Sequence, residues 1–177
     1  MIEIYLIRHT SVDVPAGYVY GQTDVPLKAS FEEEAAKVKE GLDGSRFDKV
    51  FTSPLSRCMR LASFCGYPEA EREERIKEIN FGEWEMLPWD SISSDPRSKA
   101  WFQDWIHVST PGGESLQEQF ERVSDFLDGL RTGEARKVCL FTHGGVLTCA
   151  RVYAGEYPLR EAFRHVPPYG SIIRIEI

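Results

Sequence analysis

The sequence predicts an α/β fold, a three-layer α/β/α sandwich around a mostly parallel central sheet. Ile2-Glu3-Ile4-Tyr5-Leu6-Ile7 and Val138-Cys139-Leu140-Phe141 are short, apolar, β-branched runs, the pattern of strands buried on both faces in parallel sheets. Between them lie segments with apolar residues at helical spacing: Phe31, Ala35, Ala36, Val38 and Leu42, then Leu116, Phe120, Val123, Phe126, Leu127 and Leu130. Each apolar run also leads to a histidine, in Arg8-His9 and in Thr142-His143-Gly144-Gly145. Ligands of open α/β sheets bind at the carboxyl ends of strands. Two imidazoles and an arginine there predict a reactive site for an anion.

The remaining elements follow in order. After the first strand, Val14 to Pro26 is a Gly/Pro-rich loop, and Ala29 to Leu42 is a helix. Phe47 to Thr52 is a second strand. Ser53-Pro54 is expected to open a helix to about Cys65, with serine as cap and proline in the first turn, and Gly66-Tyr67-Pro68 ends it. Glu69 to Lys77 holds a short edge strand, Glu78 to Glu85 is a loop, and Trp89 to Trp105 makes one or two irregular helices. Pro111-Gly112-Gly113 breaks the chain before a long amphipathic helix from Glu114 to Arg131, with Gly133 near its end. The His143 strand, a helix from Gly145 to about Tyr153 and a closing strand from Ser171 to Ile177 complete the reading. With no repeats or linkers, one domain spanning residues 1–177 is expected.

Composition narrows the function. Hydrophobic residues make up 42% of the 177, enough for a core. A net charge of −7 with no basic stripe argues against nucleic acid, but not against a small anion held by local cations. No stretch approaches the roughly 20 apolar residues that cross a bilayer, and the N-terminal run lacks the basic flank of a signal peptide, so no membrane partner is expected. The four cysteines show no CxxC spacing, so a reducing cytoplasm is expected. The four histidines have no ligand-like spacing, and no metal is expected. His107 and His165 read as surface or loop residues.

The strand tips carry the chemistry. Arginine matches phosphate through its fork of donors, and a neutral imidazole beside it is a nucleophile toward phosphorus. The alternative for Arg8-His9 is a salt-bridged arginine and a capping histidine. At His143, glycines admit the backbone of a ligand-binding turn, and a helix start aims N–H groups at an anion. Arg57 lies one turn into a helix leaving a strand and is either a second guanidinium at this edge or a solvated helix residue, with Arg60 a near neighbour.

Taken together, Arg8-His9, Ser53-Pro54-Leu55-Ser56-Arg57, Glu78-Ile79-Asn80-Phe81-Gly82-Glu83-Trp84-Glu85 and Thr142-His143-Gly144-Gly145 resemble, in order, the motifs of the phosphoglycerate mutase-like histidine phosphatase superfamily. Arg8-His9-Thr10, Val14-Pro15-Ala16-Gly17, Tyr20-Gly21-Gln22-Thr23-Asp24-Val25-Pro26-Leu27 and Pro111-Gly112-Gly113-Glu114-Ser115 resemble its α-ribazole phosphatases most. The resemblance implies a phosphoglycerate mutase-like fold and a phosphomonoesterase that needs neither cofactor nor metal. His9 would be the nucleophile and Glu78 the proton donor, a role that burial would favour. Glu83 and Glu85 nearby are alternative acids, although the earlier glutamate is the one that aligns with the motif. Arg8, Arg57 and His143 would complete the catalytic set. Arg8, Gln22, Thr23, Arg57, His143 and Gly144 would contact substrate. The implied partner is a small phosphorylated metabolite, α-ribazole 5′-phosphate in cobalamin synthesis, for a monomer or homodimer. Alternatives are a phosphoglycerate mutase, a broad-specificity sugar-phosphate phosphatase or a non-catalytic phosphate-binding module. The chain departs from the superfamily in Thr10-Ser11-Val12 after Arg-His, in Pro15 near a common asparagine, and in Met86 where glycine often follows Trp-Glu. Trp84, Trp89, Trp101, Phe102 and Trp105 are expected to cover the pocket, either stacking on a flat substrate or packing as core.

Overall fold

Successive side chains of a strand point to opposite faces, so an apolar run that uses both faces must be covered twice. The computed structural model, which describes residues Met1–Ile177, builds such an arrangement. Its strands are β1 (Glu3–Arg8), β2 (Lys49–Thr52), β3 (Glu71–Arg72), β4 (Lys137–Thr142) and β5 (Ile172–Glu176). They form one sheet in the order β3-β2-β4-β1-β5, parallel except where β5 runs against β1. The helices are α1 (Phe31–Gly41), α2 (Ser56–Phe64), α3 (Trp89–Ser94), α4 (Ser98–Gln103), α5 (Leu116–Arg131) and α6 (Gly144–Tyr153).

Alternation sorts the strand residues between two cores. Ile4, Leu6, Val138 and Leu140 pack with Val123, Phe126 and Leu127 of α5 and Val146 and Leu147 of α6. Tyr5, Ile7, Cys139 and Phe141 pack with Ala35 and Val38 of α1 and Cys58, Leu61 and Ala62 of α2. The three layers are therefore α5 and α6, the sheet, and α1 and α2. Residues such as Leu127, wholly buried, carry this packing; truncation to Ala at such a site costs about 2–5 kcal/mol. A third, smaller cluster holds Val19, Trp84, Ile92 and Trp101, with Trp105 packed against both it and the α5–α6 core. No helix is long and apolar enough to cross a membrane.

Several boundaries differ from the sequence reading, each for a local reason. Helix α2 starts at Ser56 rather than at Ser53-Pro54, because Leu55 remains extended at its N-cap. Helix α5 starts at Leu116, where Ser115 and Glu118 form a reciprocal capping box. Strand β3 has two residues only: the Glu73 side chain accepts the Arg75 N–H and turns the chain into a 3₁₀ turn over Glu74–Ile76. Further 3₁₀ segments, at Gly82–Trp84 and Leu159–His165, carry no signal in the sequence pattern. Register matters most for function. Arg8 lies opposite Thr142, and Phe141 opposite Thr52, so three adjacent strands end in one row and deliver His9, His143 and Ser53 to the same edge.

Candidate active site

The two imidazoles meet. The His9 and His143 ring centroids are 5.3 Å apart, edge to face. His9 Nδ1–H donates to the Thr10 carbonyl at 2.8 Å, which leaves the lone pair on Nε2, the arrangement a nucleophile needs. Burial is the main cause, and the Arg57 charge the second, that pushes the His9 pKa down to about 3; burial and Arg57 also hold His143 well below the ordinary histidine value. Both rings are thus neutral near pH 7. His143 Nε2 is held 2.7 Å from Ser53 Oγ and 3.5 Å from Cys58 Sγ. That commitment is why Ser53, read as a helix cap, sits before α2 and orients a ring instead.

Two guanidinium groups flank the pair. Arg57 is completely buried, and its partners are the carbonyls of Thr23 and Gly21. Arg8, the last residue of β1, donates to the Pro167 carbonyl. Neither partner set contains a carboxylate, and the Nε atoms of both arginines are buried without any hydrogen-bond partner. A buried cation neutralised by no acid is costly, and unpaired donors beside it mark a place for an anion. Of the two readings left open for Arg57, the solvated one is excluded. Arg60 is directed elsewhere, over the ring of Phe31.

Glu78 is half-buried and rests against the start of α6. Its Oε1 accepts from Ile79 N–H at 2.9 Å and Gln119 Nε2 at 3.0 Å, and its Oε2 from Gly145 N–H at 3.1 Å. The helix start therefore addresses the Glu78 carboxylate. A Cβ at Gly145 would collide with Glu78 Oε1, so glycine is required there by close approach. Arg122 fixes the chain that carries Glu78, donating to the carbonyls of Arg75, Lys77 and Glu78 and to the Glu114 carboxylate. Gly144 abuts Arg8: a Cβ there would lie 3.1 Å from Arg8 Nε.

The other expected residues are placed differently. Gln22 Nε2 donates to the Glu78 carbonyl at 3.1 Å. The Thr23 hydroxyl and N–H are taken by Glu85, which also accepts the Gly21 N–H; Thr23 offers its carbonyl to Arg57. Glu83 pairs with Arg97. Of the aromatic group, Trp84 and Trp101 pack in the third cluster, with Trp89 and Phe102 against Trp101. The aromatic ring against His9 is Tyr169, centroids 5.5 Å apart, and its hydroxyl lies 2.6 Å from that of Tyr20. Sequence reasoning missed Tyr20, Tyr169, Ser53 and Gln119. Only Gln119 carried a signal, as an amide on the apolar stripe of α5, where it is buried. No group of three or more His, Cys, Asp or Glu side chains is gathered to hold a metal ion.

Comparison with known proteins accords with this geometry. The family model for the histidine phosphatase superfamily (branch 1) matches residues 4–177. A protein of Serratia proteamaculans named "Probable phosphoglycerate mutase GpmB" is 30% identical over 159 residues, 84% of this chain and 73% of that protein. The α-ribazole phosphatase of Shigella flexneri superposes with a TM-score of 0.90 at 25% identity, covering 99% of this chain and 91% of that one. A phosphoglycerate mutase from Thermus thermophilus superposes with a TM-score of 0.79 at 32% identity, covering 99% and 93%.

Proposed function

The chain belongs to branch 1 of the histidine phosphatase superfamily, whose members are phosphatases or mutases, and on that premise we propose that it hydrolyses a small phosphate monoester, α-ribazole 5′-phosphate by preference, through a phosphohistidine at His9. One observation carries the reading: a neutral His9 with Nε2 free lies beside two guanidinium groups, Arg57 buried and Arg8 half-buried, that have unpartnered Nε atoms and no carboxylate. Arg8, Arg57 and His143 receive the phosphoryl oxygens, spreading cationic charge where the transition state is negative. Nε2 forms a bond to phosphorus as the ester P–O bond breaks. The leaving alkoxide takes a proton from Glu78, whose Oε2 has a single donor and room for one. In the second step Glu78, now a carboxylate, takes a proton from water as that water attacks phosphorus, and the P–N bond breaks to release phosphate. Gln119 and Gly145 position Glu78, Ser53 positions His143, and no metal enters either step.

Support for the α-ribazole branch is the loop sequence from Tyr20 to Leu27 and the overlay on the Shigella flexneri α-ribazole phosphatase. The mutase reading is favoured by sequence identity to the phosphoglycerate mutases. Assay with chelator present separates them. Hydrolysis of α-ribazole 5′-phosphate well above that of other esters is the expected result. Interconversion of phosphoglycerates faster than any hydrolysis would favour the mutase, and full dependence on added metal would overturn both.

A further inference from the structure

Tyr20 and Tyr169 have no part in the reaction above, yet their rings pack against its residues. Tyr20 comes from the loop between β1 and α1 and Tyr169 from the loop before β5. Their hydroxyls, 149 residues apart in sequence, are 2.6 Å apart in space. Each ring lies beneath a guanidinium of the site: Arg8 Cζ is 4.0 Å from the Tyr169 centroid and Arg57 Cζ 5.5 Å from that of Tyr20. Tyr169 is 37% exposed, whereas His9, against its inner side, is 1% exposed. The nucleophile is thus covered. A phosphorus atom must approach to roughly 3–3.5 Å of Nε2, which a ring so fully covered does not admit without movement. The partly exposed Tyr169 ring packed against it is the one we take to move. Gly170 N–H donates to the His9 carbonyl and anchors the backbone, so the movement left is a swing of the Tyr169 side chain. Exposed Val166, whose Cγ1 lies against Gly144, adds apolar surface near Arg8.

We propose that Tyr20 and Tyr169 form a gated leaving-group subsite, closed over His9 by their mutual hydrogen bond and parted by a flat aromatic leaving group that then stacks on the rings. The leaving-group half rests on the phosphatase reading; the gate does not. Diethyl pyrocarbonate, which acylates neutral imidazoles, reads the gate by mass spectrometry, with exposed His107 as reference within the same chain. Wild-type His9 should react far more slowly than His107. Tyr20→Phe and Tyr169→Phe remove one neutral hydrogen bond and should raise His9 reactivity roughly fivefold; Tyr169→Ala should raise it further. With esters, Tyr169→Ala should lower KM for glycerol 2-phosphate several-fold, because no gate remains to be opened. Lost stacking should leave the KM for phenyl phosphate unchanged or raised, a divergence of about three- to tenfold between the two esters. His9 reactivity equal in wild type and both Phe variants, or equal KM changes for the two esters, would overturn the proposal. If no ester turns over while His9 reactivity follows the variants, the gate stands and the phosphatase reading falls.

Discussion

Arg57 and Arg97 set two regions of this molecule against each other. In the tryptophan-rich segment, Arg97 pairs with Asp95 and Glu83, and Asp95 in turn accepts the indole N–H of buried Trp84. The Arg97 guanidinium there meets carboxylates of opposite charge, and the aromatic rings pack on one another. At the carboxyl edge of the sheet, Arg57 is deeper yet meets only carbonyls, and its Nε meets nothing. Folding completes the first arrangement and leaves the second short of an anion. The same side chain is fully paired in one region and, on the proposed function, left free for chemistry in the other.

The largest effect that tests this contrast is at His9. His9→Ala should lower turnover by at least ~10⁴-fold and abolish acid-labile phosphate on the protein; turnover near wild type would remove the histidine from the reaction. Arg57→Met should cost about 10²–10³-fold in kcat with a Tm no lower than wild type, because an unpaired buried charge is removed. Arg97→Ala should leave kcat unchanged, and equal losses at both arginines would erase the distinction. Gly145→Ala should displace Glu78 and cost about 10²-fold in kcat with a smaller change in KM, read from steady-state kinetics.

Smaller effects concern stability. Burial holds His9 at about 3, below its unfolded value of about 6.5, so protonation favours the unfolded chain. The contribution is whole above pH ~6.5 and is lost as pH falls toward about 3, with a slope of at most about 1.4 kcal/mol per pH unit. Urea midpoints should fall from pH 7 to pH 5, and less steeply in His9→Gln. Met86, at the edge of the tryptophan segment, has φ of +61°, a left-handed conformation that costs an L-residue about 1–2 kcal/mol. Met86→Gly should raise stability by about 1 kcal/mol, and a lower midpoint would show that its side chain packs better than its backbone suffers.

What the sequence revealed and what it hid follow the same division. The apolar runs of β1 and β4 are strong signals because both faces are buried, and the histidines beyond them come with the strands. Arg57 and Glu78 are identified by motif; periodicity alone leaves Arg57 divided between the site and a solvated face. Ser53 is misread since a serine before Pro-Leu-Ser fits a cap as well as it fits a hydroxyl bonded to His143, a residue at the end of another strand. Tyr20 and Tyr169 are invisible because their meeting depends on two irregular loops with no periodicity to read. The aromatic residues that stand out in the sequence, from Trp84 to Phe102, pack on one another.

The most direct measurement is rapid quench of the enzyme with a ³²P-labelled monoester, followed by peptide mapping under alkaline conditions. The account requires label on His9 alone, stable to base, lost in acid and chased by unlabelled ester. Label on another residue, or steady turnover with none on protein, would contradict it.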